Sequence, residues 1–215
     1  NCLEYHPSMS YFQMCFHSLV SMTDKQLAKH FRVTLENIQE LAPQFYVNAF
    51  NFPTTPVITN IKRNTLQHFR WGLIPHWAKN DEIKKYTLNA KIETLNDKPS
   101  FRDAARQHCL IPSNGFYEWQ WLDPKGVHKK KFLVKVKGQE VFAFAGIWSR
   151  WINPQSGELI FTYALLTTEA NELMSVIHNS KKRMPVIVRP DEYDKWLDNE
   201  EINLDGNTLE AEETS

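Results

Sequence analysis

Apolar residues recur along this chain with two different periods, one helical and one extended. Thr23-Asp24-Lys25-Gln26 has the form of a capping box, and Leu27 and Phe31 follow four residues apart, so the pattern predicts a helix over about 23–31. Thr34 can cap a second helix near 34–41, where Leu35, Ile38 and Leu41 share a face, and Pro43 ends it. The stretch 46–56, rich in Asn, Pro and aromatics without a period, reads as a structured loop. Apolar and alternating runs then predict strands at 57–59, 65–71, 108–111, 116–121, 131–136, 141–148 and 159–166. A turn with two tryptophans occupies 71–77, 78–107 is mostly loop and short helix, and Asp123-Pro124-Lys125-Gly126 is a turn between two strands. Thr168 is placed to cap a helix running to about Ile177, and 185–188 is a short buried strand. Pro190 suits the first turn of a last helix, with Asp191 and Glu192 at its positive end. The expected class is α+β, a single domain with one strand-rich sheet or barrel and helices outside it.

Composition narrows the functions open to such a domain. No apolar run approaches the length of a membrane span, so no membrane partner is expected. Residues 1–13 have neither a basic start nor a continuous apolar segment and do not read as a signal peptide. Cys2, Cys15 and Cys109 are odd in number and lack metal-type spacing, which points to a reducing, cytoplasmic compartment without disulfides, metal or cofactor. The net charge is zero, but 198–215 holds seven acids and no Lys or Arg, leaving 25 bases against 18 acids in 1–197. A basic body with an acidic, solvated tail is compatible with an anionic ligand such as nucleic acid.

Four patches carry candidate chemistry. Met14-Cys15 is the first: removal of the methionine would expose a terminal cysteine, whose α-amine (pKa about 8) and thiol (about 8.5) are both partly reactive at neutral pH. Such a residue condenses with an aldehyde to a Schiff base and then a thiazolidine, which an interior cysteine cannot do. In Leu88-Asn89-Ala90-Lys91-Ile92-Glu93-Thr94 the alternation puts Asn89, Lys91 and Glu93 on one side, as a site or as a solvated edge. Glu118 lies between Tyr117 and Trp119, where it is either a general acid/base with a pKa raised by desolvation or a structural partner of an Arg. His178 closes a helix just before Arg183-Met184-Pro185 and is either structural or a proton carrier.

These blocks occur in a recognisable series: Trp71-Gly-Leu-Ile-Pro-His-Trp77, Asn89-Ala-Lys-Ile-Glu-Thr94, Phe101-Arg102, Cys109-Leu-Ile-Pro through Gly115-Phe-Tyr-Glu-Trp119, Phe144-Ala-Gly-Ile-Trp148 and Ile177-His-Asn through Arg183-Met-Pro-Val-Ile187. The series resembles the SRAP family, the SOS response-associated peptidases, over about 14–197, with 1–13 a leader that has no family counterpart and 198–215 the acidic tail. The leader is either an overlong gene start or a segment removed in the cell.

The resemblance implies a protein that binds single-stranded DNA and crosslinks covalently to abasic sites. It implies a site of Cys15, Asn89, Glu118 and His178. Lys91, Arg102 and Arg183 become candidate phosphate contacts, while Trp71 and Trp77 either stack on bases or belong to the core. The expected molecule is a monomer, nucleoid-associated when on DNA. A thiol autopeptidase using Cys15, or a non-covalent single-strand binder, remains the alternative. Two departures stand out. The family's usual Cys-Gly-Arg is Cys15-Phe16-His17 here, and its common Asn-Ala-Arg is Asn89-Ala90-Lys91, which keeps charge but loses the bidentate fork.

Overall fold

The longest strands, Phe142–Ile152 and Leu159–Glu169, are apolar on both faces, which only a strand lying between two layers can satisfy. The structure is a computed structural model that describes residues 16–36 and 40–214. Its strands are β1 (His17–Val20), β2 (Thr34–Leu35), β3 (Gln44–Asn48), β4 (Thr54–Thr59), β5 (Lys62–Trp71), β6 (Asn89–Lys91), β7 (His108–Ser113), β8 (Gly115–Trp121), β9 (Lys129–Val136), β10 (Phe142–Ile152), β11 (Leu159–Glu169), β12 (Arg183–Pro185), β13 (Ile187–Val188) and β14 (Leu209–Thr214). Its α-helices are α1 (Asp24–Phe31), α2 (Glu172–Ile177) and α3 (Tyr193–Leu197).

Strands β5, β4, β7, β10 and β11 pair in that order, and β11 returns to β5 in parallel through Thr162–Arg70 and Tyr163–Trp71. The ring is therefore closed, a five-stranded barrel without free edges at its waist. Beyond that closure β11 continues, flanked by β6 in parallel and β12 in antiparallel; Thr167 stands opposite Lys91 on one side and Pro185 on the other. A second sheet, in order β14-β9-β8-β1-β3, is antiparallel throughout and lays Phe116 and Val134 onto the barrel, with Phe116 edge-on to Phe144 at 5.8 Å. The expected class, strand-rich barrel with outer helices in one domain, is the class observed. Among the described residues no helix is long and apolar enough to cross a membrane.

Local differences from the sequence pattern have physical causes. The helix over 23–31 forms with its capping box complete, and Arg32 at φ 56° ends it. The second helix near 34–41 does not begin where its pattern placed it. Thr34 and Leu35 pair instead with Thr65 and Leu66, and Thr34 Oγ1 donates to Asn64 O; residues 37–39 lie outside the described set. The 46–56 loop holds most of β3 and the start of β4, with Val47 buried beside β1. Helix α2 is capped by Asn171 rather than Thr168, because Thr168 is still held in β11 by β12. Two strands, β12 and β13, replace the single one at 185–188. The acidic tail is not wholly solvated, since β14 adds six residues to the edge of β9.

Gly146 is where the barrel wall is tightest. A Cβ there would lie 2.6 Å from Ile111 Cδ1 and 2.9 Å from Cys109 Sγ. Gly146→Ala should therefore cost about 1–3 kcal/mol of overpacking, or roughly 3–10 °C in Tm. Thermal unfolding followed by circular dichroism checks this, and an unchanged Tm would show that the wall has slack.

Candidate functional site

Strand alternation points Glu118 inward, on the same face as Phe116, while Tyr117 and Trp119 point outward. Its residue is only 4% exposed. Beyond it, β8 is fastened to the end of α2. Trp121 N donates to Asn179 Oδ1 at 3.0 Å, Asn179 Nδ2 donates back to Trp121 O at 2.9 Å, and Gln120 Nε2 reaches Val176 O at 3.3 Å. That clasp brings His178, the C-cap of α2, to the Glu118 strand.

His178 is buried, and its Nδ1 lies 2.7 Å from Arg183 O. A carbonyl only accepts, so Nδ1 carries the proton, and in the neutral ring Nε2 keeps a lone pair. The segment supplying that carbonyl is itself pinned. The Arg183 guanidinium meets both Glu93 oxygens, at 3.0 and 2.8 Å, and donates to Thr167 O at 2.7 Å. Burial raises the Glu93 carboxyl pKa, but the Arg183 hydrogen bonds and charge, a backbone amide and the Thr168 hydroxyl outweigh it, so the net shift is downward.

Asn89 is buried at the start of β6, opposite Leu165 of β11. Leu88, just before it, is held twice through its carbonyl: Leu165 N donates at 3.0 Å and Trp71 Nε1 at 2.8 Å. Asn89 and the His178–Arg183 segment thus flank the same projecting end of β11, and the Asn179 clasp ties Glu118 to it. Cys15 lies outside the described residues. Phe16, the first described, is buried and accepts from Ala49 N at 2.9 Å. It precedes the His17–Tyr117 pair, so the chain enters β1 at the end where Glu118 lies.

The candidate DNA contacts separate. Lys91 is exposed on β6, and Trp77 is 48% exposed beyond the Gly72 turn, whose φ of 115° admits glycine most readily. Arg102 is exposed on a 3-10 turn, 3.8 Å from Asp103. One open alternative is decided by burial, and one expectation needs correction. Trp71 is core, 2% exposed and stacked on Tyr163, so it offers no face to a base. Arg183 is buried and engaged by Glu93, so it is an internal tie rather than a phosphate contact.

The sequence reading missed the outer face of the second sheet. There His17 lies 5.0 Å from Tyr46 and 4.7 Å from Trp119, ring to ring, and Tyr46 lies 5.3 Å from Tyr117. Lys131 Nζ sits 4.7 Å from the Tyr117 ring and 5.4 Å from Tyr46, and Lys129 Nζ 5.2 Å from Trp121. Burial and the Lys131 charge push the His17 pKa down to about 4, so the ring is neutral at pH 7. The alternation of Tyr117, Trp119 and Trp121 across a turn from the lysine run 129–131 was the available signal. Among the described residues no group of His, Cys, Asp and Glu could hold a metal ion.

Comparison with known proteins gives concordant matches. The profile of the family described as SOS response associated peptidase (SRAP) matches residues 14–213. The abasic site processing protein YoqW of Bacillus subtilis is 41% identical over 167 residues, which is 75% of this chain and 72% of that protein. The abasic site processing protein HMCES of Gallus gallus is 32% identical over 161 residues, covering 64% of this chain and 46% of its own longer chain. A crystal structure of a protein from Bacteroides thetaiotaomicron superposes with a TM-score of 0.84 at 34% identity, over 94% of this chain and 92% of that one.

The Arg183–Glu93 tie has a pH signature. A carboxylate whose folded pKa is depressed contributes stability above its unfolded pKa of about 4.3, and loses that contribution as pH falls through the folded value. Arg183→Met should lower Tm at pH 7 by roughly 4–8 °C, for a loss of about 2 kcal/mol. The deficit relative to the unmodified protein should shrink progressively as pH falls from about 4.3, the unfolded value, through the lower folded pKa of Glu93. Melting curves at pH 7, 5 and 3.5 test this; a constant deficit would mean that the charge pair contributes nothing beyond packing.

Proposed function

This chain belongs to the SOS response-associated peptidase family, and from that premise we propose that it captures abasic sites in single-stranded DNA through a covalent bond to Cys15. The observation that carries the reading is the assembly of a buried Glu118 and a tautomer-fixed His178 at the end of β8 where the chain arrives from Cys15. The family relatives are named abasic site processing proteins, which supports the same substrate.

The chemistry follows from a terminal cysteine. The open-chain abasic sugar presents an aldehyde. The Cys15 α-amine adds to its carbonyl carbon, the oxygen leaves as water, and an imine remains. The thiolate then adds to the imine carbon, the nitrogen takes a proton, and a five-membered thiazolidine closes with no net oxidation or reduction. His178 Nε2 exchanges the proton needed at the sugar ring oxygen as the ring opens. Glu118 moves protons during water loss and closure, and Asn89 orients the Cys15 end. Lys91, Arg102 and Trp77, all exposed, are the surface residues assigned to the DNA strand. A thiol autopeptidase releasing residues 1–14 uses the same Cys15 and is favoured only by the peptidase term in the family description.

Protein beginning at Cys15, incubated with a single-stranded oligonucleotide bearing one abasic site, should give a heat-stable shifted band on denaturing electrophoresis. Cys15→Ala should abolish it, and protein retaining the preceding residues should crosslink poorly, because its Cys15 nitrogen is an amide. Glu118→Gln and His178→Ala should each slow crosslinking by ~10²-fold. A heat-stable band surviving in Cys15→Ala would exclude the proposed bond. Cleavage after Met14 without any crosslink would select the autopeptidase.

A further inference from the structure

We propose that the outer face of the second sheet, built from Tyr46, His17, Tyr117 and Trp119 with Lys131 and Lys129, is a stacking platform for the bases of single-stranded DNA flanking the reacting sugar; this rests on the DNA reading above.

Three observations support it. First, the rings form one continuous tract across β3, β1 and β8, with centroid steps of 5.0 Å from Tyr46 to His17 and 4.7 Å from His17 to Trp119. Two strand spacings of ~4.8 Å give roughly 10 Å, room for about two or three nucleotides. Tyr46 is 48% exposed and the neighbouring Phe45 66% exposed, an unusual outlay of aromatic surface for a solvent face.

Second, the charge beside the rings has the sign of a phosphate ligand. Lys131 stands over Tyr117 and Tyr46, and Lys129 over Trp121, so each ammonium borders a stacking ring. His17 is neutral at pH 7 and serves as a flat ring rather than a cation. On the far side Glu212 stands opposite Leu133 and Glu210 opposite Lys135, a row of like charge that confines a polyanion to the β1–β8–β9 part of the sheet. An acidic peptide would also meet the lysines, but it would leave the rings without planar partners, which bases supply.

Third, the tract adjoins the reaction. His17 is two residues from Cys15, and Tyr117 and Trp119 flank Glu118 on the same strand, facing the other way. A strand whose abasic sugar reaches Cys15 therefore has its next bases at the edge of this face.

The test measures affinity for an unmodified, fluorescently labelled fifteen-residue oligothymidylate by anisotropy, beside the crosslinking assay on the unsubstituted protein. Tyr46→Ala should weaken binding roughly 5-fold or more, and Tyr46→Phe, which keeps the ring, should restore it. Lys131→Gln should weaken binding and reduce the slope of log affinity against log salt by roughly 0.7. Equal affinity and salt slope in all variants, with crosslinking by the unsubstituted protein intact, would overturn the platform and leave the abasic-site function standing. Absence of both oligothymidylate binding and crosslinking in the unsubstituted protein would overturn both. Displacement of the oligonucleotide by polyglutamate at equal charge concentration would reassign the face to an acidic protein and overturn the inference.

Discussion

The parallel pairing that closes β11 onto β5 is the constraint on which the rest of the molecule depends. Only Thr162–Tyr163 of β11 meet Arg70–Trp71 of β5, yet that contact turns an open sheet into a barrel. Because closure uses the first part of an eleven-residue strand, the remainder projects past the barrel with both edges available. Strands β6 and β12 occupy those edges and bring Asn89 and Arg183 to one place from sequence positions more than ninety residues apart. Trp71 serves both levels. Its ring stacks on Tyr163 at the closure, and its Nε1 holds Leu88 O, the residue before Asn89. A side chain that contributes nothing to ligand contact thereby sets where a candidate site residue sits.

Charge is arranged locally in a chain whose net charge is zero. The lysines of β9 face the acids of β14, with Lys130 Nζ 2.8 Å from Glu213 and Glu210 opposite Lys135. Exposed pairs of this kind contribute about 0–1 kcal/mol each, too little to hold a strand in place. The six-residue backbone ladder and the packing of Leu209 on the core attach β14, and the charges help select its partner and register. The Arg183–Glu93 pair differs because Arg183 is buried and bidentate, and it also donates to the β11 backbone. It fixes the carbonyl that fixes the His178 tautomer, so its contribution reaches the site through geometry.

How much of this was legible depended on whether the cause was local. Helix α1 was readable because its capping box lies within four residues, and β8 because its aromatic alternation lies within seven. Glu118 stood out for the same reason, as a carboxylate on an apolar strand face. The short strands β2, β3 and β14 were not legible. Each exists because an edge elsewhere offered a ladder, and two to six residues carry too little periodicity to announce it. Arg183 was misread as a phosphate contact because its partner Glu93 is ninety residues away. Trp71 was left open between core and ligand because an indole in a turn motif has the same appearance in sequence whichever way it points. The outer aromatic face was missed because His17 and Tyr46 join Trp119 only through the β1–β3 and β1–β8 pairings.

Strand β8 presents the buried Glu118 on one face and a proposed grip on the other. Since side chains alternate with a period of two, Glu118 can be buried only if Tyr117 and Trp119 are turned outward, and a slip of one residue would exchange them. The register is therefore as important as the side chains, and the corner before β8 pins it. Ser113 Oγ donates to Leu19 O at 3.0 Å, Asn114 Oδ1 accepts from Ser21 N at 2.9 Å, and Asn114 Nδ2 donates to Glu140 O at 2.8 Å. These bonds tie the start of β8 to the end of β1 and to the segment before β10, and the Ser113 and Asn114 side chains that make them are buried, where an unpaired polar group costs about 1–3 kcal/mol. At the other end the Asn179–Trp121 pair holds the strand to α2. A strand pinned at both ends cannot slide, so the carboxyl stays on the side of His178 while the rings stay on the side of Lys131. The alternation of a single strand, secured at its two ends, is what keeps the buried carboxyl of the proposed proton-transfer site and the outward rings of the proposed stacking surface on opposite faces of the same strand.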